Sequence, residues 1–174
     1  MTVLPLNDWR DFFVTIGTAS GAIVGAAFVV ASLTSGTEKR ETGIRGFITP
    51  TSVHLGGVLV CSAALTVPVL TPLLFAVLFG AAGLAGIVYG IIVIVRIGHL
   101  KLDIPDRFWY CVAPIAAYAV ILLSAWVMLS NAVQAIELLA VSLVVLLITG
   151  MRNLWDMATF MIMIMTNAKP PDNP

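Results

Sequence analysis

Residues 46–95 read GFITPTSVHLGGVLVCSAALTVPVLTPLLFAVLFGAAGLAGIVYGIIVIV, fifty consecutive positions without an Asp, Glu, Lys or Arg. A soluble domain devotes about a quarter of its residues to charge. A run this long with none leaves no solvated face. Crossing the roughly 30 Å hydrocarbon core of a bilayer takes about 20 helical residues, so the stretch is long enough for two crossings. Thr66-Val-Pro-Val-Leu-Thr-Pro72 divides them, because two prolines four apart interrupt a helix. Each crossing opens on the same start signal, Thr49-Pro50 and then Thr71-Pro72: a capping hydroxyl followed by a proline suited to the first helical position.

The same sorting of charge extends both ways along the chain. Residues 12–37 and 108–136 carry no charge, and between 136 and 151 only Glu137 does. Overall 60% of residues are hydrophobic and 10% charged, with a mean hydropathy of +1.04. These properties predict an all-α polytopic membrane protein, one membrane domain built as a bundle of five transmembrane helices. The expected spans cover about 12–33, 50–67, 72–98, 107–130 and 133–151, with Asp106 capping the fourth. Residues 152–174 are left as a tail, either continuing the fifth helix into the cytoplasm or lying in the interface. Strands are excluded, since the apolar runs are too long and lack the alternation of a barrel.

Lys and Arg set the orientation. Lys39, Arg40 and Arg45 fall between the first two spans; Arg96, Lys101 and Arg107 fall between the third and fourth; Arg152 and Lys169 follow the fifth. Eight of the nine basic residues thus share one side, with Arg10 alone on the other. The basic side is cytoplasmic by the positive-inside rule, which puts the N-terminus outside and the C-terminus inside. Trp9, Trp109, Trp126 and Trp155 all fall near span ends, where indoles favour the interface.

Several function classes lack their residues. The net charge is zero and no basic run points to nucleic acid. Cys61 and Cys111 both lie in apolar stretches and read as small buried residues. The first apolar run is too long for a cleavable signal peptide, and Asp8 and Asp11 flank its one arginine. No metal-ligand spacing, nucleophile motif or phosphate loop is present. Two histidines, His54 and His99, at different depths do not make a haem pair. No cofactor, no metal and no enzymatic activity are expected.

Small and polar residues mark the positions of interest. Gly17, Gly21 and Gly25 repeat every four residues in the first span, and Ala82, Gly86 and Gly90 form a similar face in the third. Such faces let a second backbone approach closely, which in lipid stands in for the missing hydrophobic drive. They serve either packing within the bundle or a subunit interface. In the second span Thr51, His54, Gly57, Cys61, Ala64 and Pro68 share one face, directed into the bundle. The fourth span carries Tyr110, Pro114 and Tyr118 at spacing four. Proline there frees the carbonyl of Tyr110. With Tyr89 these give a candidate polar cluster of His54, Tyr89, Tyr110 and Tyr118, acting either as a structural pin or as part of a ligand or proton path. Arg152 and Asp156 stand at i and i+4 and form a candidate interfacial ion pair. An offset of fifty-six residues pairs His54 with Tyr110 and Arg96 with Arg152, as a duplicated hairpin would.

Four patterns together carry a resemblance. They are Trp9-Arg-Asp11-Phe-Phe, Thr49-Pro-Thr-Ser-Val-His54, Asp106-Arg-Phe-Trp-Tyr110 with Pro114 and Tyr118, and Arg152-Asn-Leu-Trp-Asp156. The chain resembles a family of small bacterial integral membrane proteins without an established function. The resemblance covers most of the chain and implies a bacterial inner-membrane location; it supplies no activity. The expected role is a structural or interaction bundle in membrane lipid that self-associates or binds a membrane partner. A homo-oligomeric channel or small-solute transporter is the alternative, and a membrane enzyme the least supported.

Overall fold

An apolar surrounding offers a peptide group no water, so a long run of Leu, Val, Ile and Ala satisfies its backbone by coiling into helix. The computed structural model of the chain describes residues 6–33, 38–67, 70–97 and 104–167, which form helices and short turns with no strand among them. In order these are α1 (Arg10–Leu33), α2 (Glu38–Leu65), α3 (Pro72–Ile97), a single turn α4 (Ile104–Arg107), a π-helical turn (Phe108–Val112), α5 (Ala113–Val127) and α6 (Ala132–Asn167). The helix runs unbroken through α4, the π turn and α5.

Four stretches are long and apolar enough to cross a membrane: Arg10–Val29, Pro72–Arg96, Ile104–Val127 and Ala132–Phe160. A shorter apolar stretch, Thr49–Leu65, belongs to α2. This composition is compatible with a multi-pass membrane protein. The outward faces agree with it: Phe28, Leu73, Val95, Trp126 and Trp155 all point away from the core. Outside residues 38–48, no charged side chain of the described residues is buried.

Helix starts follow local chemistry in some places and not in others. At α3 the Leu74 N–H donates to Thr71 Oγ1 at 3.2 Å, and Pro72 takes the first position. At α6 the Gln134 N–H donates to Asn131 Oδ1 at 3.2 Å, and Asn131 Nδ2 donates to Gln134 Oε1 at 3.4 Å. The corresponding expectation at α2 fails. The helix opens at Glu38, so Pro50 is internal and Thr49 is not a cap. Glu-Lys-Arg-Glu at 38–41 are good helix formers, and the loss of one hydrogen bond at proline does not stop a helix already propagating. Lys39, Arg40 and Arg45 therefore sit on helix, not in a loop. Asp106 is likewise not a cap; α4 opens two residues earlier and holds it in its first turn. Of the residues used for orientation, Lys101 and Lys169 lie outside the described set, as do His99, Pro68 and the side chains of Lys39, Arg40 and Arg45.

α6 continues through Arg152 and Asp156 to Asn167, 36 residues in one helix. At 1.5 Å per residue that is about 54 Å, well beyond a hydrocarbon thickness.

Packing follows chain order except at α2, which sits on α6 instead of on α3. α1 lies on α2, α2 on α6, α6 on α5 and α5 on α3, while the consecutive helices α2 and α3 touch only lightly. The two expected hairpins therefore pack differently, and the duplication read from sequence has no counterpart in the contacts. Between the helices Phe13, Val58, Phe75, Phe79, Ile121, Ile136, Leu139 and Leu143 are sealed into one core. Polar cross-links stitch it: Ser20 Oγ donates to the Leu55 carbonyl at 2.7 Å, and Ser124 Oγ donates to the Ala135 carbonyl at 2.7 Å.

Candidate functional site

The polar face of α2 is buried. Thr51, His54 and Cys61 are all closed from solvent. His54 is 2% exposed, and its Nδ1 lies 3.0 Å from the Tyr118 hydroxyl of α5, with the direction of the bond set by the imidazole tautomer. The Tyr89 ring of α3 stands edge-on to the imidazole, centroids 5.9 Å apart. Three helices thus meet at His54.

Two glycines border Tyr118. A Cβ on Gly57 of α2 would stand 3.4 Å from its hydroxyl, an ordinary contact, whereas a Cβ on Gly86 of α3 would clash with its ring. The same seam runs along α3 against α5. A Cβ on Gly83 would be 2.8 Å from the Leu122 nitrogen, and one on Gly90 would be 2.5 Å from Ile115 Cγ1. Gly86 and Gly90 are therefore packing positions within the chain. Gly83, between Ala82 and Leu84, is the tightest against backbone and was not among the expected positions. Its place one turn before Gly86 was the available signal.

The expected groove of α1 is uneven. At Gly17 a Cβ would stand 3.0 Å from Ser62 Cβ of α2, at Gly21 3.9 Å from Leu59 Cδ1, and at Gly25 no described atom lies within 4 Å. Gly21, its centre by spacing, is in ordinary contact, and Gly25 is open.

Tyr110 leaves the expected cluster. Its hydroxyl donates to the Asn153 carbonyl of α6 at 3.3 Å. Eight residues separate it from Tyr118, about 12 Å along a helix, so it meets a different neighbour; the π turn, in addition, moves the freed carbonyl. The Ala113 N–H reaches back five residues to the Phe108 carbonyl. In that register Pro114, which has no N–H, stands opposite the carbonyl of Trp109, not of Tyr110. Asn153 Nδ2 reaches the freed Trp109 carbonyl, at 3.5 Å. A π turn absorbs the proline by changing register, which the spacing of Tyr110, Pro114 and Tyr118 did not show.

A second polar group therefore forms where the π turn meets α6. The Arg152 guanidinium lies over the Trp109 indole, 5.1 Å from its centroid. Arg152 Nη2 and Asp156 Oδ2 are 3.7 Å apart, an ion pair too long to be a hydrogen bond. Arg152 Nη1, Asn153 Oδ1 and Asp156 Oδ2 are shielded from solvent and have no hydrogen-bond partner, as are Ser62 Oγ and Thr149 Oγ1 in the core. Asn153 was visible in the sequence only as a neighbour of Arg152; the carbonyl it serves lies forty-four residues away.

Chemically, the His54 group is a closed aromatic and imidazole contact, while the Arg152 group presents unused donors and acceptors. Among the described residues no three of His, Cys, Asp and Glu converge. Compared with known family models, curated proteins and solved structures, the chain matches none.

Proposed function

We propose that this chain is a non-catalytic, multi-pass protein of the bacterial inner membrane, a five-span bundle with Met1 outside and Pro174 in the cytoplasm, that works by assembling with a second copy or with another membrane protein. The sorting of eight of nine basic residues supports the orientation. α2 supplies the fifth crossing through its apolar stretch Thr49–Leu65, lengthened by the helix on its N-terminal side.

The observation that carries the assembly reading is the open end of the α1 groove. Gly17 is seated on α2, but Gly25 meets no described atom, and Ala22 and Ala26 beside it are exposed. Small residues facing lipid are poor lipid contacts and good helix contacts. The glycines of α3, in contrast, are already used against α5. A channel or transporter reading has less support, since Tyr118 fills the notch at Gly86 and its hydroxyl is engaged by His54.

Light scattering of the protein in lipid nanodiscs or mild detergent tests the assembly. Wild type should exceed the monomer mass, and Gly25→Leu should return it to monomer with an unchanged melting temperature. A wild type already monomeric in both media would defeat the reading. Reporter fusions at residues 5, 42, 70, 103, 131 and 172 test the topology. Residues 42 and 103 on opposite sides of the membrane would rule out five spans.

A further inference from the structure

The unused polar atoms at the foot of α6 are of two kinds. Arg152 Nη1 is a cationic donor without an acceptor. Asp156 Oδ2 and Asn153 Oδ1 are acceptors without a donor. The three residues share one sector of the helix, Arg152 and Asp156 one turn apart and Asn153 three residues before Asp156. Asn153 is 2% exposed and pinned by its amide nitrogen on the Trp109 carbonyl, which commits its oxygen to the unpaired role. Buried polar atoms are rarely left without a partner, and three on one helix sector point to something that binds there.

The partner must therefore supply an anionic acceptor for Arg152 and, a few ångströms away, a cationic donor for Asp156 and Asn153. Position narrows it further. Arg152 is twenty residues beyond Ala132, where the apolar stretch of α6 begins. At 1.5 Å per residue that is about 30 Å, the thickness of the hydrocarbon core. With Ala132 at the outer edge of the hydrocarbon core, the site stands at headgroup level beside the Trp109 indole, although the apolar stretch itself runs on to Phe160.

We propose that Arg152, Asn153 and Asp156, with Trp109, bind a zwitterionic phosphoethanolamine group, as carried by an ethanolamine phospholipid. The phosphate accepts from Arg152, whose guanidinium matches its geometry. The primary ammonium donates to Asp156 and to Asn153 Oδ1. About a third of each of the Arg152 and Asp156 side chains is exposed, so the mouth of the site is open. For the headgroup to seat, Asp156 turns away from Arg152, which stays over the Trp109 indole. That movement breaks no short hydrogen bond, because the pair they make is 3.7 Å long. A quaternary choline ammonium has no N–H to give, and a glycerol headgroup has no positive charge. The acceptors therefore select ethanolamine over both. This inference rests on the bundle lying in a bilayer.

Native mass spectrometry after detergent exchange, with the protein preloaded in nanodiscs of ethanolamine, choline or glycerol phospholipid, tests it. Wild type should retain ethanolamine phospholipid about tenfold over either other lipid, as expected from one charge-assisted hydrogen bond. Arg152→Gln should lose retention of ethanolamine lipid, and Asp156→Asn should lose the preference for ethanolamine over choline. Equal retention of the three lipids by wild type, or unchanged retention in both variants, overturns the proposal. The wild-type comparison stands if a variant fails to fold. Free phosphoethanolamine and free phosphate are titrated in parallel against melting temperature. Stabilisation by free phosphoethanolamine as strong as by the lipid would keep the chemistry but overturn the lipid as its source. Protein that stays soluble and monodisperse without detergent would instead refute the membrane reading itself, a separate failure.

Discussion

The glycines of α1 and those of α3 follow nearly the same spacing but do opposite work. Along α3, added carbons at Gly83, Gly86 and Gly90 would strike the Leu122 backbone, the Tyr118 ring and Ile115. Along α1 the contact is tight at Gly17, ordinary at Gly21 and absent at Gly25. A repeat of small residues says that a helix offers a groove. Whether a neighbour fills it depends on how the helices splay, and in lipid only the filled part contributes packing. The α3 groove holds the bundle together. The α1 groove fades from an internal contact into a free surface.

The largest expected effect probes the filled seam. Gly86→Ala drives a carbon against the Tyr118 ring, which must move and give up His54. Overpacking together with a stranded imidazole should cost about 2–4 kcal/mol. Thermal unfolding in detergent reads it directly, and a variant that melts with wild type would show that α3 and α5 are not so closely apposed.

Tyr118→Phe sharpens the same contact by keeping the ring and removing only the hydroxyl. His54 Nδ1 then has lost its partner in a buried site, and about 1–2 kcal/mol of stability should go. If denaturant titration finds no loss, the bond between His54 and Tyr118 contributes nothing, and the ring alone is what Gly86 accommodates.

On α1 the expected effects are smaller and change sign. Gly17→Ala presses on Ser62 Cβ and should destabilise by about 1 kcal/mol, partly offset by the better helix propensity of alanine. Within the chain Gly25→Ala meets no described atom, so for the monomer the propensity gain stands alone, up to about 1 kcal/mol. Measured side by side, a loss at Gly17 and a gain at Gly25 would map the fade of the groove. Equal losses at both would mean that Gly25 packs tightly against a neighbour.

The sequence by itself determined the class of fold. Charge-free runs and the absence of alternation are enough for apolar helices of spanning length, because a backbone without water has few other ways to satisfy itself. Thr71-Pro72 also marked a helix start correctly, since a cap is a local bond between neighbours. Thr49-Pro50 has the same chemistry and did not start one, because the residues before it were free to be helical too. The meeting of His54, Tyr89 and Tyr118 was legible, as each carries a polar group that a span must hide. Only the tertiary structure decided that Tyr110 turns to Asn153 and that a π turn shifts the carbonyl opposite Pro114. It alone also decided that α3 lies against α5 and barely touches α2, and which glycines are filled. Those outcomes depend on which helix face arrives at which neighbour, and residue spacing along one helix carries no information about the helix that will pack against it.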